Sequence, residues 1–446
     1  MSAEEVIGIL MSLTAISSYL NYRYIKIPKS IGLTLITLSL SFLTLSLSFI
    51  IGLISSKLGW DPKDFAIHLL DGISFTDTFL HGMLGYLLFA ASLHVNTREL
   101  SKHKTIIGLL ATVSVLLSTI IVGFGTYALT QLLNIDIPLA YCLVFGALIS
   151  PTDPIAVLGI LKTANAPKGL EMKIAGEALF NDGMGIVLFA MLLEVATGDG
   201  TACTWQGSVV HLVQAFLTQG LGGIVLGLVM GWLAARLLRT IDNHEVAILL
   251  TLGVVAGGHA FAHSVAQVSG PVCMAVAGLS VGALLQDGSM SRDSLRRLAS
   301  FWEVLDAILN ALLFVTIGLE FVILSFTSEI ILASVGVIII TVAARWISVM
   351  IPVGSLSMFR KFSSEVVLLM TWGGLRGGIS IALALSIPNG IIRDFIVSIT
   401  SIVVLFSIMV QGLTLGSLVR RFFGFTANHE KLPVNIVPAT MADKTV

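Results

Sequence analysis

The residues of this 446-residue chain best suited to do chemistry are Asn181 and Asp182 in the run GEALFNDGMGIVLF, with Glu177 four positions before Asn181. At helical spacing Glu177 and Asn181 share one face, and Asp182 lies on the adjacent one. Two carboxylates so close together in an apolar helix need a reason, because a charge at the centre of a bilayer costs about 2.5–3.5 kcal/mol on insertion scales. Desolvation favours the protonated form of a buried carboxylate. Such a group can trade a proton for a metal cation.

Thr152 and Asp153 stand between Pro151 and Pro154 in GALISPTDPIAVLG. Each proline removes a backbone donor, so no regular helix runs through this stretch. At membrane depth a broken helix is tolerated only where it lines a cavity or packs against protein. The freed carbonyls and half-helix ends then become ion ligands. Arg376 sits among four glycines in TWGGLRGGISIALALSIP, a backbone expected to unwind. A buried guanidinium needs an anionic partner, and Glu177 and Asp153 are the candidates. Asp306 and Asn310 are four apart in FWEVLDAILNALLFVTIGLE, where hydrogen bonding in the helix bundle is favoured over ligand contact. His259 and His263 in GGHAFAH share that spacing. No third ligand stands near them, which favours a structural role over metal binding or pH sensing.

The elements that must position these groups are membrane helices. Hydrophobic residues make up 56% of the chain and charged residues 11%, against roughly 25% charged in soluble proteins. Mean hydropathy is +0.96. Apolar runs of about 20 residues, each long enough to cross a hydrocarbon core, recur along the chain. Thirteen spans are expected, near 5–20, 28–54, 76–95, 104–131, 138–161, 171–195, 208–238, 245–262, 265–285, 300–325, 328–351, 364–387 and 391–420. With the N-terminus outside, 20 of the 25 basic residues face the cytoplasm. Only Lys57, Lys63 and Arg393 face the other way, while Arg345 and Arg376 lie within spans. This positive-inside bias supports an N-out, C-in topology. The break at Thr152-Asp153 falls in span five and the break at Arg376 in span twelve. An odd offset of seven gives the two helices opposite orientations, which points to an inverted repeat of spans 1–6 and 8–13 with the site at its interface.

A net charge of -1 gives no footing for nucleic acid, and Cys142, Cys203 and Cys273 show no CxxC spacing. No HExxH pair, no nucleophile with its base and no GxxxxGK[ST] loop is found, so neither an enzyme nor an ATP-driven pump is expected. No cofactor is implied.

At GALISPTDPIAVLG, GEALFNDGMGIVLF, VSGPVCMAVAGL, FWEVLDAILNALLFVTIGLE and WGGLRGGISIALALS, in order across roughly residues 80–420, the chain resembles the NhaP/NHE-type monovalent cation:proton antiporters, the first cation:proton antiporter family. The resemblance implies an all-α, NhaA/NhaP-like fold with crossed discontinuous helices, forming one transmembrane unit over 1–420 and a short cytoplasmic tail over 421–446. Core helices would occupy approximately 76–195 and 300–420, and dimerisation helices approximately 5–54 and 208–285. It implies a homodimer in the cell inner membrane, with a core that moves elevator-fashion through the lipid bilayer. By the same resemblance Asp182 is the shared Na+ (or Li+) and H+ carrier, Asn181 its motif partner, and Thr152 and Asp153 contributors to the Na+ site directly or through water. Glu177 would bridge to Arg376, with Asp306 and Asn310 as supporting polar groups. Asn at position 181 resembles the electroneutral, one-for-one branch. Two departures thin the oxygen ligands: Ala178 stands where some members have Ser, and Ala90 where some carry a carboxylate. A K+/H+ antiporter of the same fold is the alternative reading, and a passive cation channel a more distant one.

Overall fold

The computed structural model describes residues 3–54, 82–95, 97–102, 104–163, 168–198, 205–285, 291–320, 327–357 and 364–423. Among them every regular element is helical. In hydrocarbon only helices and closed barrels satisfy all backbone polar groups, and the Leu-, Ile-, Val- and Ala-rich runs of this sequence form the former.

The chain opens with α1 (Ala3–Leu20), which continues into a π turn at Asn21–Ile25, and α2 (Lys29–Ile54). Next come α3 (Leu84–Leu93), α4 (Thr97–Lys102) and α5 (Lys104–Leu109), joined by a π turn at Leu110–Ser114 to α6 (Val115–Leu132). Two short helices, α7 (Leu139–Ile149) and α8 (Pro154–Thr163), flank the double-proline stretch, and the long α9 (Lys168–Thr197) follows. The second half holds α10 (Trp205–Leu238), α11 (His244–Ser264), α12 (Gly270–Leu285), α13 (Arg292–Glu320) and α14 (Ser328–Ser357). A second pair of short helices, α15 (Ser364–Trp372) and α16 (Gly378–Leu385), flanks Arg376. The last run is α17 (Ile391–Phe406), a π turn at Ser407–Gln411 and α18 (Gly412–Phe423).

Among the described residues, seven stretches are long and apolar enough to cross a membrane: 105–132, 171–197, 216–238, 244–264, 293–316, 328–354 and 391–422. Four shorter apolar helical stretches accompany them. The chain is an all-helical, multi-pass membrane protein. Its outward surface carries Leu221, Val225 and Trp232 on α10 and Ile339 and Trp346 on α14, all exposed. These side chains suit a lipid solvent. Residues 55–81, which hold the start of the span expected over 76–95, and the tail 424–446 lie outside the described residues.

Inside, α13 is pinned by the fully buried Trp302, whose indole N–H donates to Thr251 Oγ1 on α11 at 3.0 Å. Its ring packs on Phe89 of α3 with centroids 4.7 Å apart. Helices α6 and α9 lie against α7 beside the first break, and α17 lies against α16 beside the second. Two interrupted helices thus sit in the interior, with continuous helices around them.

Candidate functional site

Both breaks expected from the sequence are present, and they meet. The first runs from Ser150 to Asp153 and the second from Gly373 to Gly377. The backbone N–H of Asp153 donates to the Leu375 carbonyl at 2.7 Å, one unwound segment satisfying the other. The Arg376 side chain reaches back across the contact. Its Nη1 donates to the carbonyls of Ser150 and of Pro151, the latter at 3.0 Å. Those carbonyls sit at the C-terminal end of α7, where the helix dipole favours a positive charge. The Arg376 backbone N–H, which no helix uses, donates to Ser407 Oγ at 2.9 Å, and that hydroxyl donates to Gln411 Oε1 at 2.6 Å. The π turn at Ser407–Gln411 therefore supports the second break.

Asp153 is half-buried, and its side chain lies against Gly377: a Cβ there would fall 2.8 Å from Asp153 Oδ2. Gly377 is the N-cap of α16 and receives no side-chain cap of its own. The carboxylate thus stands near the positive end of that half-helix. Each break places a charge of the favourable sign at a half-helix end of the other.

Helix α9 presents Glu177, Asn181 and Asp182 to this crossing, all three buried. Asn181 clamps the first break. Its Nδ2 donates to Thr152 Oγ1 at 2.8 Å, and its Oδ1 accepts from the Thr152 backbone N–H at 3.3 Å. The close approach requires Gly185, where a Cβ would land 2.2 Å from Pro151 Cγ. Gly183 faces Val272 of α12 instead of the break. Asp182 is only 4% exposed, and among the described residues it makes no hydrogen bond or ion pair.

The expected bridge from Glu177 to Arg376 is not the pair that forms. Glu177 Oε1 pairs with Arg345 Nη1 of α14 at 2.5 Å, both groups buried. Arg345 Nη2 also reaches the Met370 carbonyl, at 3.3 Å, in the last turn of α15. The exchange of partners has a physical cause. Arg376 lies inside an unwound segment, where orphan carbonyls accept its N–H groups. Arg345 projects from a continuous helix whose own carbonyls are satisfied, so it takes the carboxylate. In the sequence Arg345 is one of two arginines within apolar runs, but nothing in its flanks, TVAARWISVM, names a partner 168 positions away. Ser150, Ser407 and Gln411 are illegible in the sequence for the same reason: a lone Ser or Gln in an apolar run carries no signal of what it faces.

The remaining expected groups stand apart. Asn310 Nδ2 donates to Asp306 Oδ1 at 3.0 Å and to its carbonyl at 2.9 Å, so this pair bonds within α13. His259 is buried against Gly85 and Gly270, whereas His263 is exposed. The two imidazoles do not converge on one site.

Crossed half-helices with charges at their ends, set against a buried unpaired carboxylate, define a membrane transporter rather than an enzyme. The sodium/hydrogen exchanger transmembrane family model matches residues 9–421. The Na+/H+ antiporter NhaP of Pseudomonas aeruginosa is 41% identical over 426 residues, covering 94% of this chain and 97% of that protein. The Na+/H+ antiporter NhaH of Halobacillus dabanensis is 35% identical, over 78% of this chain and 83% of that one. Among solved structures, the sodium proton antiporter MjNhaP1 of Methanocaldococcus jannaschii superimposes with a TM-score of 0.71 at 21% identity, over 95% of this chain and all of that one. The chain belongs to the sodium/hydrogen exchanger family.

Proposed function

We propose that this protein is a secondary antiporter that exchanges Na+ (or Li+) for H+, with Asp182 as the group that carries either one. The observation behind this reading is the state of Asp182, buried at the helix crossing and without a hydrogen-bond or ion-pair partner among the described residues. An unpaired buried carboxylate is unfavourable when ionised, so a proton or a monovalent cation must neutralise it. Relatives covering most of the chain bear the name of Na+/H+ antiporters, which agrees with that chemistry.

In the cycle, Asp182 loses its proton to one side and takes the cation with help from Thr152, Asp153 and water. The core then shifts, the cation leaves, and a proton returns. One carboxylate holding one proton or one cation makes the exchange one-for-one and electroneutral. The moving unit is the core, helices within approximately 76–195 and 300–420, sliding against a dimerisation unit built from approximately 5–54 and 208–285. The working form is a homodimer in the cell inner membrane, with thirteen spans, N-out and C-in, and the two breaks related by an inverted repeat. Driven by the Na+ or H+ gradient, it serves sodium transport and pH homeostasis.

The test is fluorescence-monitored exchange in everted vesicles with Na+, Li+ and K+ across a pH series, on the parent protein and Asp182→Asn. The variant should fold and insert normally yet show no exchange. Parent-like exchange by Asp182→Asn would remove Asp182 from the site. Exchange with K+ in preference to Na+ would replace the proposed substrate, and a rate that responds to an imposed membrane potential would rule out one-for-one stoichiometry.

A further inference from the structure

Next to the crossing is a small, largely apolar cavity with a few polar groups on its wall that the transport cycle does not use. A cavity of about 10 Å³ lies where α14, the unwound segment after α15 and α17 with its π turn come together. Thr341, Arg345, Gly374, Arg376 and Gln411 line it. The four side chains among these are each at least nine-tenths buried. Two of their polar atoms, Arg345 Nε and Thr341 Oγ1, have no hydrogen-bond partner among the described residues. The arginine is committed elsewhere through both other nitrogens, Nη1 to Glu177 and Nη2 to Met370. Its Nε lies close to Gly374, where a Cβ would fall 2.7 Å away. Residue 374 has no side chain, which lets Arg345 pack against its backbone at the edge of the cavity. Its φ lies outside the left-handed region, so backbone conformation does not demand glycine there.

We propose that one ordered water molecule occupies this cavity, accepting from the Arg345 Nε–H and hydrogen-bonded to Thr341. Size and charge select this occupant. About 10–15 Å³ of free volume, with two to four polar partners, holds a single water. Two guanidinium groups on the wall exclude a cation and call for an acceptor. A water offers two lone pairs to donors and two hydrogens to the oxygens of Thr341 and Gln411. The bound water completes the donor set of Arg345 and fixes its guanidinium plane. Arg345 is then held on three sides, by Glu177 of α9, by Met370 of α15 and by the water. The helix that carries Asp182 is thereby tied to the second break through a fixed hub. The inference is independent of which cation is transported.

The test is a map of the full-length protein in lipid, by cryo-electron microscopy or crystallography, at a resolution that shows ordered water. A spherical density feature within hydrogen-bond distance of Arg345 Nε, about 2.7–3.2 Å, is expected. Well-ordered Arg345 and Thr341 with no density within hydrogen-bond distance of Arg345 Nε would overturn the proposal. So would anomalous signal at that position after bromide replaces chloride, which would make it an anion site. Thr341→Val keeps the shape and removes one partner, so the feature should weaken or vanish in its map. Gly374→Ala should expel it and displace Arg345. A feature unchanged in both variants would refute the assignment, and the result for Thr341→Val stands alone if Gly374→Ala does not fold.

Discussion

Replacing Glu177 by Gln removes one charge and almost no volume, and it isolates the ion pair that the sequence assigned to the wrong arginine. Glu177 is 1% exposed and Arg345 5% exposed, with Oε1 and Nη1 2.5 Å apart. Removing one partner of such a buried pair leaves an uncompensated charge, at a cost of about 3–5 kcal/mol. Thermal midpoints move about 2–4 °C per kcal/mol for chains of 150–250 residues and less for longer ones. At about 1–2 °C per kcal/mol, Glu177→Gln should lower Tm by about 3–10 °C. Arg345→Met should do the same, since it strands the carboxylate. The double variant leaves neither charge, so its loss should be smaller than the sum of the two single losses by about 1–3 kcal/mol. A second cycle pairing Glu177→Gln with Arg376→Met should show much weaker coupling, because Arg376 donates to the carbonyls of Ser150 and Pro151. The assay is unfolding of purified protein in one detergent, followed by the fluorescence of the six tryptophans. Stronger coupling of Glu177 to Arg376 than to Arg345 would refute the pairing, as would a Glu177→Gln protein with an unchanged midpoint.

Asn181→Leu should lose both bonds to Thr152 and leave its backbone N–H unsatisfied, costing about 1–3 kcal/mol; unfolding midpoints and the KM for Na+ in vesicles check it, and an unchanged KM would separate the clamp from ion binding. Gly185→Ala should push α9 off Pro151 at a cost of about 1–3 kcal/mol for overpacking, seen as a lower midpoint and slower exchange. For the proposed competition at Asp182, the Na+ concentration giving half-maximal exchange should rise about tenfold for each unit of acidification below the carboxyl's own titration, one proton displacing one ion. A slope near zero in that pH series would mean that proton and cation use different groups.

The parts of this site that were legible in the sequence are those whose cost is local. Pro151 and Pro154 together remove two backbone donors within one turn, so a single regular helix does not run through both, and a Gly-flanked Arg376 gives α15 and α16 little reason to join. Both interruptions are where the residues put them. Asp182 and Glu177 announced themselves because an apolar run makes a carboxylate expensive. The illegible parts are pairings between distant segments. Nothing local distinguishes Arg345 from Arg376 as a partner for Glu177; only the tertiary fold, which brings Arg345 within reach of the carboxylate and gives Arg376 loose carbonyls to meet, decides it. Asn181 likewise reads as a polar companion of Asp182, but its amide is spent on Thr152. Asp306 and Asn310, expected to hydrogen-bond across the bundle, instead bond to each other within α13, a contact that their spacing of four permits without any tertiary partner.

The distribution of charge at the crossing bears on why a single carboxylate is proposed to carry the exchange. Glu177 is neutralised by Arg345, and Asp306 accepts from Asn310. Asp153 stands against the N-cap of α16, where a helix dipole favours negative charge. Each of these groups can stay ionised, or stay bonded, through a cycle without help from a transported ion. Asp182 has no such compensation among the described residues, and its uncharged neighbour Asn181 adds none. Any occupant that neutralises Asp182 relieves the same single charge, so a proton and a monovalent cation are alternatives rather than companions. Competition for one group and one-for-one exchange are then the same physical statement, and a loss of either in transport assays should be accompanied by a loss of the other.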